Sequence, residues 1–177
     1  GLMEWLNENL RFNVKKYLPD YELNPVGEVG WLIGFDYKNY LVYITKKDYE
    51  LKDPSLFKGV YNEGDCELGS IYEHDGRLVV VIDVDCSYEF VEFTDEEYFC
   101  NASWTISYSI IRKAFKSWHS FIPDYYLFDR YNLFSSQGNN LYKHNIKNHY
   151  QTYYGTYYPA AIELTTKNKA TAYWDNA

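Results

Sequence analysis

Ser103-Trp-Thr-Ile-Ser-Tyr-Ser-Ile-Ile111 is the stretch on which the fold class turns. Successive side chains of an extended chain point to opposite faces. Trp104, Ile106, Tyr108 and Ile110 therefore share one side of a strand, and Ser103, Thr105, Ser107 and Ser109 share the other. The pattern predicts a strand whose Trp104/Ile106/Tyr108/Ile110 face is buried and whose hydroxyl face meets water. On that reading Trp104→Ala would cost about 3–5 kcal/mol.

Working outward, short β runs continue on both sides. Residues 114–121, 131–136 and 141–144 read as three further strands, with Gln137-Gly-Asn-Asn140 as a turn. Four short antiparallel strands in about 45 residues is the size of one propeller blade. Upstream, residues 70–74 run into Asp75-Gly76, a strong hairpin signal, and Arg77-Leu-Val-Val-Val-Ile-Asp-Val84 follows. Tyr88, Phe90, Val91 and Phe93 continue the β pattern. Residues 31–35, the turn Asp36-Tyr-Lys-Asn39 and Tyr40-Leu-Val-Tyr-Ile-Thr45 read as another hairpin, closed by Lys46-Lys-Asp48. Residues 150–165 offer an aromatic strand and then Ala160-Ala-Ile-Glu-Leu-Thr165.

Residues 2–16 differ. Leu2, Met3, Leu6 and Leu10 recur at helical spacing, acids stand early and bases late, and Pro19 stops the run. Asn24-Pro25 and Gly27 mark a loop. The expected fold is mainly all-β: short antiparallel strands in meanders, arranged as β-propeller-like blades or as a β-sandwich, after a short N-terminal helix. Residues 1–24 form the helix and linker, and residues 25–177 the β domain.

Composition narrows the class. Of 177 residues 46% are hydrophobic, too many for a disordered chain. No run approaches the roughly 20 apolar residues of a membrane helix, and no signal peptide is visible. The chain begins at Gly1 and its last residues show no stop signal, which suggests a segment of a longer protein. Cys66, Cys86 and Cys100 form no CxxC pair and suggest free thiols in a reducing cytoplasm. The net charge of −8 is uneven: residues 1–100 carry a net −12 and residues 101–177 a net +4. The acidic part repels a nucleic-acid backbone. The mildly basic part reads as ordinary surface lysine or as docking onto an acidic neighbour.

Motifs for chemistry are scarce. His74, His119, His144 and His149 form no metal-ligand spacing. Asp83 and Asp85 share one face of a presumed strand and read as solvated, and Asp95-Glu-Glu97 reads as a turn. Ser117, His119 and Asp124 can be written as a triad, but nothing in the pattern brings them together. No GxSxG, Walker loop or GxGxxG occurs. No catalytic residue, metal or cofactor is expected.

The aromatics are the unusual feature, at 20% of the chain. Pro123-Asp-Tyr-Tyr-Leu-Phe128 and Tyr153-Tyr-Gly-Thr-Tyr-Tyr158 suit strand cores, a subunit interface or a ligand platform. Trp104, Tyr108, Trp118, Tyr142, Tyr153 and Tyr154 are the candidate packing and interface residues.

One resemblance rests on ordered short motifs. Asn101-Ala-Ser-Trp-Thr-Ile-Ser-Tyr-Ser109, Lys116-Ser-Trp-His-Ser-Phe-Ile-Pro123, Asn132-Leu-Phe-Ser-Ser136, Asn140-Leu-Tyr-Lys-His-Asn145 and Tyr150-Gln-Thr-Tyr-Tyr-Gly155 come in this order. Together with Asn24-Pro25 to Trp31, Tyr40–Thr45 and Lys46-Lys-Asp-Tyr49 upstream, they resemble the tail muzzle, or nozzle-like "stabilization", protein of crAss-like bacteriophages, over roughly residues 24–165. The resemblance implies a structural virion protein, assembled in the bacterial cytoplasm into a multimeric collar that lines or closes the genome-exit channel. It implies a homo-oligomeric ring, neighbouring tail proteins as partners and DNA only as non-specific transit. It carries no catalytic residues, and it makes Trp104, Trp118, Tyr142 and His144 blade-packing residues. The competing expectation is a carbohydrate- or host-receptor-binding β module built on residues 150–158 and Trp118.

Overall fold

The turn Asp36-Tyr-Lys-Asn39 folds the first hairpin through one side chain. Asp36 Oδ1 accepts the Asn39 backbone N–H at 3.1 Å, and Oδ2 accepts the Asn39 amide at 2.7 Å. Asp75 and Gly76 turn another hairpin, both at positive φ (49° and 76°), as a two-residue turn of that hand requires.

The structure is a computed structural model and describes residues 2–146 and 152–157. In chain order it contains α1 (Leu2–Asn9), a 3-10 turn (Val14–Lys16), β1 (Gly30–Asp36), β2 (Leu41–Lys47), β3 (Tyr49–Leu51), a second 3-10 turn (Pro54–Leu56) and β4 (Phe57–Val60). There follow β5 (Ile71–His74), β6 (Arg77–Val81), β7 (Tyr88–Val91), β8 (Phe99–Asn101), β9 (Trp104–Ser109), β10 (Ala114–His119) and β11 (Tyr126–Phe128). The last are β12 (Leu133–Gln137), β13 (Asn140–Lys143), β14 (Thr152–Tyr153) and β15 (Thr156–Tyr157). The expected strand over residues 160–165 and His149 lie outside the described residues.

The protein is mainly β, with one short helix. One four-stranded sheet runs β1-β2-β9-β10 and a second runs β4-β5-β6-β7. A three-stranded sheet runs β11-β12-β13, and β3 pairs with β8 and β14 with β15. All pairings are antiparallel except β4 with β5. The four strands read as one blade separate here: β9 and β10 extend the first hairpin, whereas β12 and β13 join β11. Pairing of β9 with β2, which lies some 60 residues earlier, outcompetes the local meander.

Two main cores result. Phe12, Val14, Tyr17 and Leu18 pack with Ile71, Leu78, Val80, Val91, Phe93 and Phe99. Leu41, Tyr43, Phe121 and Leu133 form the second, with Tyr126, Tyr153 and Tyr154 against them.

β9 departs from the sequence expectation on its hydroxyl face, which is buried, while its apolar face is covered only in part, with Ile106 buried. Thr105, Ser107 and Ser109 are buried, Trp104 and Tyr108 are half-buried, and Ile110 is exposed. The hydroxyl face lies against the second core, where hydrogen bonds satisfy it. Thr105 Oγ1 lies 2.7 Å from Thr45 Oγ1, which lies 2.8 Å from the Tyr126 hydroxyl. On the other face Trp104 meets the rings of Trp5, Trp31 and Trp118 at 5.3–5.5 Å.

The helix expected over residues 2–16 stops at Asn9, and a tertiary contact takes over its continuation. Asp48 is fully buried and accepts the backbone N–H groups of Asn13 (2.8 Å) and Val14 (3.3 Å). Lys46 Nζ pairs with Asp48 at 2.9 Å and donates to the Arg11 carbonyl at 2.5 Å. Lys46 and Asp48, read as a strand-closing polar run, are therefore interior groups.

Two further expectations are corrected. Cys66 and Cys86 are joined in a disulfide rather than free, with Cα atoms 4.4 Å apart; Cys100 is a free, exposed thiol. The β5–β6 hairpin lies between the two cysteines and carries its legs back to the same end. Asp83 and Asp85 lie in the turn after β6, not on a strand face. They accept turn N–H groups, Asp83 from Val84 and Asp85 from Ser87.

Asp48→Ala leaves a buried ammonium and three backbone donors, those of Asn13, Val14 and Tyr49, without their carboxylate. It is expected to lower unfolding free energy by about 3–5 kcal/mol, read from the urea midpoint. At Gly34 an added Cβ would stand 2.7 Å from the Tyr126 ring. Gly34→Ala is therefore expected to destabilise by about 1–3 kcal/mol, seen as a lowered melting temperature.

Candidate functional site

The polar side of β9 and β10 meets the β11-β12-β13 sheet in a seam of hydroxyls, imidazoles and rings. Directly opposed register places Thr105 beside His119, and a bulge between Phe115 and Ser117 sets the phase of β10. His119 Nε2 lies 2.9 Å from Ser107 Oγ, and its Nδ1 lies 3.2 Å from the Tyr153 hydroxyl. The His144 backbone N–H donates to the Leu133 carbonyl at 2.8 Å, which brings the imidazole beside β12. His144 Nε2 then lies 2.6 Å from Ser135 Oγ, which lies 2.8 Å from the Tyr154 hydroxyl. The Phe121 ring is tilted against both imidazoles, with centroids 5.3 Å from His119 and 4.9 Å from His144.

Burial sets the protonation states. It lowers His119 to about 4, helped by His144 and Lys116. It also lowers His144 to about 4, against an opposing pull from Asp36. Both imidazoles are neutral at pH 7. The Tyr43 and Tyr154 hydroxyls are pushed up to about 12 by the same desolvation, so they stay protonated donors.

Two Ser–His contacts thus exist, and both serines are buried. Ser135 already shares its oxygen with Tyr154. Asp36, the carboxylate acting on His144, is bonded to Asn39 and to Asn145 Nδ2 (2.5 Å). The contacts fix orientation and satisfy polar groups against the apolar rings. Every buried side-chain nitrogen and oxygen among the described residues has a partner.

Beside the seam opens a groove of about 960 Å3, walled by Tyr142, Tyr154, Asn145, Lys38, Lys116 and Lys143. The Tyr142 and Tyr154 rings lie 4.6 Å apart. Among the described residues no three His, Cys, Asp or Glu side chains converge on a metal position. No described helix is long and apolar enough to cross a membrane.

The six aromatics singled out from sequence divide between two places. Tyr142, Tyr153 and Tyr154 wall the groove. Trp104, Tyr108 and Trp118 belong to the opposite face of the large sheet, with Trp118 62% exposed. The Ser117/His119/Asp124 set does not assemble: His119 bonds Ser107 and Tyr153, and Asp124 accepts the Gly138 N–H and faces Lys47 at 4.0 Å. The sequence reading missed Ser107, Ser135 and Tyr126 as seam members. The alternating hydroxyls of β9 were their one visible sign.

No family model, no curated protein and no solved structure matches the chain.

The histidines make stability fall on the acid side. Unfolded imidazoles take up protons near pH 6.5, whereas the folded ones resist until about 4. The stabilisation is complete above pH 6.5 and is lost as pH falls from 6.5 to 4, by about 3 kcal/mol per imidazole. Melting temperature followed by circular dichroism should be level from pH 8 to 7 and drop between 6.5 and 4.5. His119→Gln should roughly halve that drop, with His144 supplying the rest.

Proposed function

We propose that the chain is a non-catalytic structural component of a phage tail. It would belong to a multimeric muzzle or nozzle at the genome-exit channel, with its sheets packed as propeller-like blades. The ordered motifs of residues 101–155 and their resemblance to the crAss-like tail proteins support this reading. So does the outer edge of the large sheet, which is the observation that carries it.

β10 is an edge strand with four of its six residues exposed. Ile33, Ile44, Ile106 and Trp118 stand in register across all four strands. That row is buried in the middle and ends in two exposed side chains, Ile33 (63%) and Trp118 (62%). An edge without a pairing strand among the described residues, carrying a large exposed indole, invites a neighbouring chain. The blade reading draws on the antiparallel β5-β6-β7 part of the second sheet, which pairs consecutive strands as a blade does. The chemistry within reach points the same way, since the seam keeps its serines and imidazoles bonded to one another.

In the proposed role the chain works by holding geometry, within a ring of identical subunits and against other tail proteins. DNA would pass without specific contacts, and the net −12 of residues 1–100 suits a wall that does not grip phosphate.

Mass spectrometry and electron microscopy of purified virions test the reading. The chain is expected in the tail fraction at several copies per particle. Its absence from particles would overturn the proposal.

A further inference from the structure

The charge of this molecule is divided between two sheets as well as between two halves of the sequence. Residues 61–97 hold twelve carboxylates and one cation, Arg77, and include β5, β6 and β7. Five of these acids concentrate at one corner. Glu63, Asp65 and Glu67 lie on the loop before β5, and Asp83 and Asp85 lie on the turn after β6. The Cys66–Cys86 disulfide ties these two like-charged loops together. Of the five, Glu67 alone has an ion-pair partner among the described residues, Lys58 at 3.1 Å.

The groove beside the second core has the opposite character. Lys38, Lys116 and Lys143 are exposed along it, and none forms an ion pair among the described residues. Asn145 and the Tyr142 and Tyr154 rings supply neutral walls between them. A cationic groove and a disulfide-held acidic corner on one chain are complementary, and they are different surfaces. Contact between different surfaces of identical copies is heterologous, and it closes into a ring where the rotation allows.

We infer that the Lys38/Lys116/Lys143 groove receives the acidic Glu63–Asp83 corner of a second copy of this chain, joining copies head to tail. The inference rests on the assembly reading above and adds a charged contact to the β10 edge described there. Electrostatic complementarity sets the register of such a contact and makes it sensitive to salt.

Sedimentation velocity on the full chain tests it. Self-association is expected at about 50 mM NaCl and should weaken at least tenfold at about 500 mM. The triple variant K38E/K116E/K143E and the double variant E63K/D83K should each lose self-association at least tenfold. An equimolar mixture should recover it, because each altered surface now complements the altered surface of the other variant. The mixture also serves as the folding control, since misfolded chains would not restore a specific contact. Association unchanged in both variants would overturn this contact and leave the assembly reading standing on another face. A chain that stays monomeric at low salt would overturn both. Binding of polygalacturonate to the groove of a monomeric chain, lost in K38E/K116E/K143E, would overturn the contact in favour of an acidic polysaccharide.

Discussion

The buried carboxylate of Asp48 is the constraint from which the rest of the structure is arranged. It accepts N–H groups from Asn13, Val14 and Tyr49 and pairs with the Lys46 ammonium. Its own backbone exchanges hydrogen bonds with Ser103 and takes the Ala102 N–H. A charge removed from water is tolerated only when all its partners are in place. The N-terminal segment, the β2–β3 junction and the approach to β9 must therefore come together at once. That meeting delivers Phe12, Val14, Tyr17 and Leu18 into the first core, and it is why the helix yields after Asn9.

The second core is held differently. Rings supply its area, while hydroxyls and neutral imidazoles supply direction. Thr45, Thr105 and Tyr126 form one hydrogen-bonded run; Ser135, His144 and Tyr154 form another. Such networks specify one packing because any slip would leave a buried donor unpaired. The abundance of tyrosine follows from this design. A tyrosine fills volume like phenylalanine and still reaches a polar partner, which lets two sheets close over a strand face made of serine and threonine.

Function in the proposed role depends on what these cores leave outside. The edge of β10 with Trp118, the lysine groove and the acidic corner are three chemically distinct surfaces on one chain. The disulfide has a clear place in this arrangement. It offsets repulsion between loops that would otherwise separate, and so concentrates charge where the sheet ends. The large seam is the support for these surfaces, and its buried histidines couple that support to acid.

The sequence by itself determined the local structure. Alternation placed β9, Asp75-Gly76 and the Asp36–Asn39 turn marked their hairpins, and composition assigned the mainly β class, because these signals depend on neighbours in the chain. It also isolated Tyr142, Tyr153 and Tyr154, which the structure brings to one groove, and Trp104 and Trp118, which it sends to the other face. Only the tertiary structure decided which face of β9 is covered, since period-two alternation says which residues share a side and not what packs on it. Sheet order was equally hidden, because β2 and β9 pair across sixty residues. So were the Cys66–Cys86 bond and the buried roles of Lys46 and Asp48. Each depends on groups distant in sequence meeting in a low dielectric, where an unpaired charge or hydroxyl is costly and its partner is fixed by the fold.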